Sequence, residues 1–140
     1  MAWATYNPYH GKKPKKSKYG AEKTVIDGIT FDSRKEARRF AELKLLEKAG
    51  EIVELRRQVK FVLIPAQREP DQIGKRGGVI KGKLIEREVS YYADFVYFDN
   101  NLNDYVVEDV KGMKNGAAYE VFKIKRKLML YVHNVRIQEI

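Results

Sequence analysis

The pattern of hydrophobic and polar positions predicts a chain of alternating strands and helices. Stretches rich in β-branched and aromatic residues predict three long strands, at residues 51–64, 84–98 and 105–111. The polar stretch at residues 99–104 predicts the turn that joins the last two strands. Alternation along the first strand predicts a common apolar face, interrupted by Arg57, that consists of Val53, Leu55, Val59, Phe61 and Leu63.

A hairpin and a helix precede these strands. An Asp-Gly pair between β-branched residues predicts a hairpin over residues 24–31. A helix is predicted over residues 34–49, because Ser33 can cap its N-terminus, its interior is rich in helix-forming residues, and Gly50 supplies a stop.

A second helix and a short strand complete the predicted elements. The helix is predicted over residues 117–131 and the strand over residues 135–140. The core order is therefore α-β-β-β-α-β, preceded by a hairpin. This order predicts a fold of the broad class α/β, in which helices pack on one mixed sheet (α+β). The apolar residues at helical spacing, which predict the inward stripe of the second helix, are Val121, Ile124, Leu128 and Tyr131.

Two segments are predicted to lie outside the regular core. Residues 1–20 contain five lysines and no acid, which predicts a flexible basic arm. Residues 65–83 combine four glycines with basic residues, which predicts a loop or hairpin tip. Residues 21–140 are predicted to form a single domain.

Composition narrows the function classes. The 140 residues carry a net charge of +9, with a sequence pI near 9.6, so we expect a polyanionic partner. Cysteine is absent and only two histidines occur, which excludes zinc-thiolate sites and cysteine nucleophiles and disfavours a histidine-built metal site. There is no membrane-length apolar run and no apolar signal core, so we expect a cytoplasmic protein.

Charged residues inside two predicted strands are the strongest indication of chemistry. Asp94 lies in an aromatic strand, and Asp109 and Lys111 lie two positions apart in the next strand, which places them on one face. The turn at 99–104 makes these strands antiparallel neighbours and brings the acids together. Asp94, Asp109 and the backbone carbonyl of Val110 could hold Mg²⁺ or Mn²⁺, while Lys111 assists an attacking water. The alternative is a same-face ion pair on a half-exposed strand.

Two further acids have competing interpretations. Glu36 follows Ser33 by three positions, which is the spacing of a helix capping box. Glu36 also lies near the inward stripe of its helix, so it is equally a candidate for the metal site. Glu108 is a secondary option, because it faces away from Asp109 and has no lysine two positions on.

Basic residues are the third element of the predicted site. We expect them to contact nucleic-acid phosphates, although some of them could simply form a solvated surface. The residues concerned lie in the arm, in the glycine-rich loop and around the second helix, and are Lys12, Lys13, Lys15, Lys16, Lys75, Arg76, Lys114, Lys123, Arg126 and Lys127.

The acids and the lysine together resemble the signature of the PD-(D/E)XK nuclease superfamily. In that signature an acid on the second core strand is followed by (D/E)-x-K on the third, often with a glutamate on the first helix. The matching positions are Asp94, Asp109-Val110-Lys111 and Glu36, with Ala93 where many members have proline. The resemblance covers most of residues 24–140 and extends to a small phage-borne group of the superfamily.

The resemblance implies a restriction-endonuclease-like αβββαβ core and a Mg²⁺- or Mn²⁺-dependent DNA endonuclease. Among superfamily members, a Holliday-junction resolvase or a nickase of phage recombination, replication or packaging is the closest in kind. Such an enzyme would act in the host cytoplasm, and the resolvase resemblance implies a homodimer that would suit a two-fold substrate. The alternatives are a non-catalytic nucleic-acid-binding module on the same fold, a structural phage or ribosome-associated protein, and an RNase H-like nuclease, whose acid-only site would not use Lys111.

Overall fold

A computed structural model describes residues 23–140, which form a mixed α+β fold with two helices and one central mixed sheet. The predicted basic arm, residues 1–20 with Lys12, Lys13, Lys15 and Lys16, lies outside the described residues. The elements in chain order are β1 (Thr24–Ile26), β2 (Ile29–Phe31), α1 (Arg34–Lys48), β3 (Ile52–Ile64), β4 (Gln67–Arg68), β5 (Gln72–Ile73), β6 (Val79–Ile80), β7 (Leu84–Glu86), β8 (Val89–Asp99), β9 (Asp104–Asp109), α2 (Gly116–His133) and β10 (Ile137–Glu139).

The central sheet has the strand order β10-β9-β8-β3. β8 pairs antiparallel with β3 and with β9, and β10 pairs parallel with β9 after the crossover through α2. β1 and β2 form the predicted hairpin. The prediction of an α+β fold with a mixed sheet and an N-terminal hairpin is therefore confirmed.

The two helices cover opposite faces of this sheet. The side chain of Val106 packs with α1 residues, and that of its neighbour Val107 packs with α2 residues. Because successive side chains of a strand point to opposite faces, α1 and α2 lie on opposite sides of β9. Among the residues that the structure describes, neither helix is long and apolar enough to span a membrane.

The predicted inward stripe of α2 is wrong at three of its four positions, whereas the fourth, Leu128, packs against the sheet. Val121, Ile124 and Tyr131 are 53%, 59% and 88% exposed, whereas Phe122 and Met129 are buried against the sheet. Helical periodicity identifies apolar stripes, but α2 carries two neighbouring ones, and periodicity does not decide which one faces the sheet. The observed orientation buries the bulkier stripe.

The excursion between β3 and β8 is better ordered than a loop. β4 pairs with β7 and β5 pairs with β6, so residues 67–86 form a two-stranded ribbon that we call the glycine ribbon. The predicted strand 84–98 is accordingly divided into β7 and β8, because Arg87 and Glu88 lie between the two pairings. The predicted strand 105–111 ends earlier, at Asp109.

The edge strand β3 changes face at Gln58. Arg57 lies over the ring of Phe31 on the α1 side, at 4.3 Å from its centroid, whereas Val59 packs against the α2-side cluster. Between them, Gln58 has a φ of 49°, a left-handed conformation that breaks strand alternation.

Strand β8 changes face at the neighbouring point. Ala93 belongs to the α2-side cluster and Phe95 to the α1-side cluster, although residues two apart in a regular strand share a face. Asp94 lies between them. The predicted common face of the first strand is therefore wrong: Leu55 packs on the α1 side, Val53 is 39% exposed, and the α2 side receives Val59, Phe61 and Leu63.

Candidate functional site

The end of β9 carries a buried ion pair. Asp109 is 5% exposed, and its Oδ1 lies 2.5 Å from Lys111 Nζ. Its Oδ2 accepts a hydrogen bond of 2.8 Å from the Tyr91 hydroxyl. Lys111 Nζ also lies 3.6 Å from the ring centroid of Phe122, so α2 closes this side of the site. Asp109 and Lys111 thus lie together as predicted, although β9 itself ends at Asp109.

Asp94 lies beside Asp109 on the neighbouring strand. The register that pairs Phe95 with Glu108 sets Asp94 opposite Asp109. Asp94 Oδ2 accepts a hydrogen bond of 2.8 Å from the Val110 backbone N–H, and Oδ1 accepts one of 3.0 Å from Gln58 Nε2.

Burial raises the pKa of the Asp94 carboxyl, and the charge of Asp109 raises it further. The hydrogen bonds from Val110 and Gln58, together with the charge of Lys111, act in the opposite direction. The two carboxylates are therefore electrostatically coupled. A cation between them would relieve their repulsion.

Glu36 takes part in the cap of α1 through its backbone, whereas its side chain points away from Ser33 toward Arg57. Its backbone N–H donates to Ser33 Oγ at 3.1 Å, which completes the N-terminal cap of α1. Its side chain is buried and faces Arg57, whose Nη2 lies 3.8 Å from Glu36 Oε1. Burial is the largest cause that raises the pKa of Glu36, and the charge of Asp94 is the second. The structure thus brings Glu36 into the same acidic cluster.

Three side chains of this cluster are absent from the sequence predictions. Gln58 bonds Asp94 and also lowers the pKa of Glu36 through a side-chain hydrogen bond. Tyr91 bonds Asp109. Lys35 Nζ donates to the backbone carbonyls of Lys111 at 2.9 Å and Ile140 at 2.7 Å. Tyr91 had a recognisable signal, since it lies in the same aromatic strand as Asp94, whereas Gln58 and Lys35 had none.

Glu108 belongs to a different network on the α1 face. It is 0% exposed, and it accepts bonds from Arg39 Nε at 2.9 Å, Arg39 Nη2 at 2.6 Å and the Tyr97 hydroxyl at 2.6 Å. The bond to Glu108 raises the pKa of Arg39, and burial raises the pKa of Tyr97. Glu108 is therefore engaged by a bidentate partner and a hydroxyl, which makes it a structural acid.

The donor chemistry of the cluster fits a magnesium-type cation, although its donors are few. Within residues 23–140, no group of three or more His, Cys, Asp or Glu side chains is arranged to hold a metal ion. Mg²⁺ needs fewer, because proteins often hold it with one or two carboxylates, water and substrate phosphate. Asp94 and Asp109 supply such a pair, and the Val110 carbonyl follows directly in the chain.

The residues around α2 that are predicted to contact phosphates differ in whether they already form an ion pair within the chain. Arg126 Nη1 pairs with Glu139 Oε2 at 2.9 Å, and Lys123 Nζ pairs with Glu120 Oε1 at 2.8 Å. Both cations are therefore already neutralised within the chain. Of the predicted phosphate contacts that the structure describes, those that are exposed and have no ion pair are Lys114 and Lys127 near α2, and Lys75 and Arg76 in the glycine ribbon.

The fold and the site define a small basic α+β protein with two coupled carboxylates and a lysine at the junction of its central strands. The chain belongs to the family described as "Protein of unknown function (DUF1064)", whose model matches residues 16–139. Searches of curated proteins and of solved structures found no match to this chain.

Proposed function

We propose that this protein is a Mg²⁺- or Mn²⁺-dependent DNA endonuclease with a PD-(D/E)XK site on a restriction-endonuclease-like core. The observation that carries the proposal is the convergence of Asp94, Asp109 and Lys111, with Lys111 Nζ 2.5 Å from Asp109 Oδ1. Two coupled carboxylates beside an ammonium group suit phosphodiester hydrolysis. The carboxylates can hold a divalent cation, and the ammonium group can assist the attacking water.

Each side chain has a distinct role in this proposal. Asp94 and Asp109, with the Val110 carbonyl, would hold the cation, which when bound would supply electrostatic stabilisation of charge on the phosphate. Lys111, positioned by Asp109 and the Phe122 ring, donates a hydrogen bond to a phosphate oxygen or orients the attacking water. Glu36 adds a third acid at the rim of the site.

The proposed substrate is DNA in duplex, nicked or branched form. The net charge of +9 supports a polyanion, and the unpaired cations Lys114, Lys127, Lys75 and Arg76 supply phosphate contacts that carry no base sequence. A Holliday-junction resolvase or a nickase of phage origin suits such contacts. A homodimer would match the two-fold symmetry of a junction. The cytoplasmic location stays a prediction.

The test is cleavage of labelled linear duplex, supercoiled plasmid and four-way junction in Mg²⁺, Mn²⁺ or EDTA. We expect metal-dependent cutting, reduced by at least about 100-fold in Asp109→Asn and Lys111→Ala, which is the range for loss of a catalytic acid–base group. Asp104→Asn is the matched control, because Asp104 is an exposed acid at the other end of β9. Full activity in Asp109→Asn would disprove the site assignment.

A non-catalytic DNA-binding module is the second candidate. It is favoured by the scarcity of metal donors among the described residues and by the ion pair in which Lys111 already satisfies Asp109. This candidate predicts tight DNA binding with no cleavage in any metal, and unchanged binding in Asp109→Asn. The same cleavage assay, run beside a binding assay, separates the two functions.

A further inference from the structure

The glycine ribbon, residues 67–86, projects from the domain without a hydrophobic core of its own. Its four short strands pair only with one another. Every residue from 67 to 86 is exposed except the glycines Gly74 and Gly82. A segment of this length that buries no side chain gains little from the fold, which suggests that a partner covers it.

Hydrogen bonds nevertheless hold the ribbon in a defined shape. Glu69 N–H donates to the Lys83 carbonyl at 2.9 Å, and Gly82 N–H donates to Asp71 Oδ1 at 2.7 Å. A Cβ at Gly82 would lie 1.7 Å from the Glu69 carbonyl oxygen, so only glycine allows this close crossing. The glycine ribbon therefore has a defined backbone shape although its side chains are exposed.

The tip of the glycine ribbon combines an apolar pair with positive charge. Ile73 lies directly opposite Val79 in the β5–β6 pairing, so their side chains share one face, at 81% and 73% exposure. Residues 72–83 contain Lys75, Arg76 and two further lysines but no acid. An apolar pair in a segment with four cations and no acid is suited to a polyanion that also offers apolar surface.

DNA has both of these properties. A two-stranded ribbon has the width that a DNA groove of about 12 Å admits, and apolar side chains of bound proteins enter base steps that are unstacked. We propose that the glycine ribbon distinguishes branched from linear DNA, with Lys75 and Arg76 on phosphates and the Ile73–Val79 pair against unstacked bases at the branch. This inference rests on the proposed function only in taking DNA as the polyanion.

The test is equilibrium binding in EDTA, so that it does not depend on cleavage. Fluorescence anisotropy would compare a four-way junction with a linear duplex of the same sequence, and 2-aminopurine at the branch would report unstacking. We expect the double variant Ile73→Ser/Val79→Ser to lose about tenfold in preference for the junction, the range for one lost base-stacking contact. Its affinity for linear duplex should stay within about twofold, since the cations remain.

The matched control is Lys75→Ala/Arg76→Ala at the same tip. It should weaken binding to both DNAs by a similar factor and lower the salt dependence by about two phosphate contacts. Both double variants change only exposed side chains, so their folding should be unaffected, and circular dichroism would verify this. Equal junction preference in wild type and in Ile73→Ser/Val79→Ser would overturn the inference. Binding to phosphatidylserine vesicles that the same variant abolishes, without a change in DNA preference, would also overturn it.

Failure of this inference and failure of the proposed function remain distinguishable. Junction preference that is lost in Ile73→Ser/Val79→Ser, in a protein that cuts no DNA in any metal, supports the inference and rejects the nuclease. Metal-dependent cutting with no effect of the variant on junction preference supports the nuclease and rejects the inference.

Discussion

Glu108 and Asp109 are adjacent buried acids to which the structure assigns opposite roles, and their amide variants test that assignment. Glu108 faces α1 and is bonded by Arg39 and Tyr97, whereas Asp109 faces α2 and Lys111. We expect Glu108→Gln to destabilise the protein and Asp109→Asn to leave the free energy of unfolding almost unchanged. The reason is that both variants remove a charge partner of a partly buried cation, Arg39 or Lys111, but only Asp109→Asn also relieves a like-charge repulsion, that with Asp94.

The magnitude follows from the bonds of Glu108. It accepts two bonds from Arg39, at 2.9 and 2.6 Å, and one from Tyr97 at 2.6 Å. Breaking a buried ion pair costs about 3–5 kcal/mol. The Arg39 side chain is 23% exposed, can partly reach water and keeps its ion pair with Glu42, so we expect the lower end, about 3 kcal/mol. At about 3 °C per kcal/mol for a chain of this size, Tm falls by about 10 °C.

Urea unfolding in EDTA, followed by circular dichroism, measures both variants under the same conditions. Asp109→Asn should stay within about 1 kcal/mol of wild type, because asparagine still accepts from Tyr91, and relief of the repulsion with Asp94 offsets the lost ion pair with Lys111. Asp104→Asn, at an exposed position of β9, is the control for removal of a charge. A Glu108→Gln variant as stable as wild type would show that the Arg39 network is not what holds α1 on the sheet.

The remaining predictions concern the acidic cluster. Burial raises the pKa of Asp94 in the folded state, so its ionised form is penalised by folding. This penalty is absent below the unfolded pKa, about 4, and complete above the folded pKa. Asp94→Asn should therefore raise the free energy of unfolding at pH 7 but not at pH 3, and an equal change at both pH values would contradict this. Tyr91→Phe removes one bond to Asp109 and should lower stability by about 1 kcal/mol, with a Tyr92→Phe control at an exposed neighbour. Mn²⁺ titration followed by electron paramagnetic resonance should show affinity in wild type that falls at least about tenfold in Asp94→Asn, and equal affinity in both proteins would remove Asp94 from the proposed metal site.

The parts of the site that could be predicted from the sequence are those fixed by local geometry. Asp109 and Lys111 are only two positions apart in the chain, at the end of β9 and just beyond it, so their side chains can meet. Asp94 lies opposite Asp109 because the turn at 99–104 is short and sets the register of β8 and β9. In both cases the residues that decide the geometry lie close together in the chain.

The parts that could not be predicted depend on residues far apart in the chain. Gln58 reaches Asp94, 36 positions away, only because a left-handed residue turns β3 over at that point. Arg39 meets Glu108 across 69 positions. The orientation of α2 could not be predicted for a related reason. Packing against the sheet, and not the helix sequence alone, decides which of its two apolar stripes is buried.

The bonds of Lys35 have a consequence for how the protein folds. Lys35 reaches the Ile140 carbonyl, 105 positions away, while Ile140 bonds Asp109 and Lys111 through its backbone at 2.9 and 3.1 Å. Contacts that close such long loops form late in folding, because the conformational entropy of the loop is lost before the contact contributes to stability. The cluster should therefore assemble only in the final folding step. A partly folded chain would expose its lysines before it possesses the arrangement proposed to cut DNA.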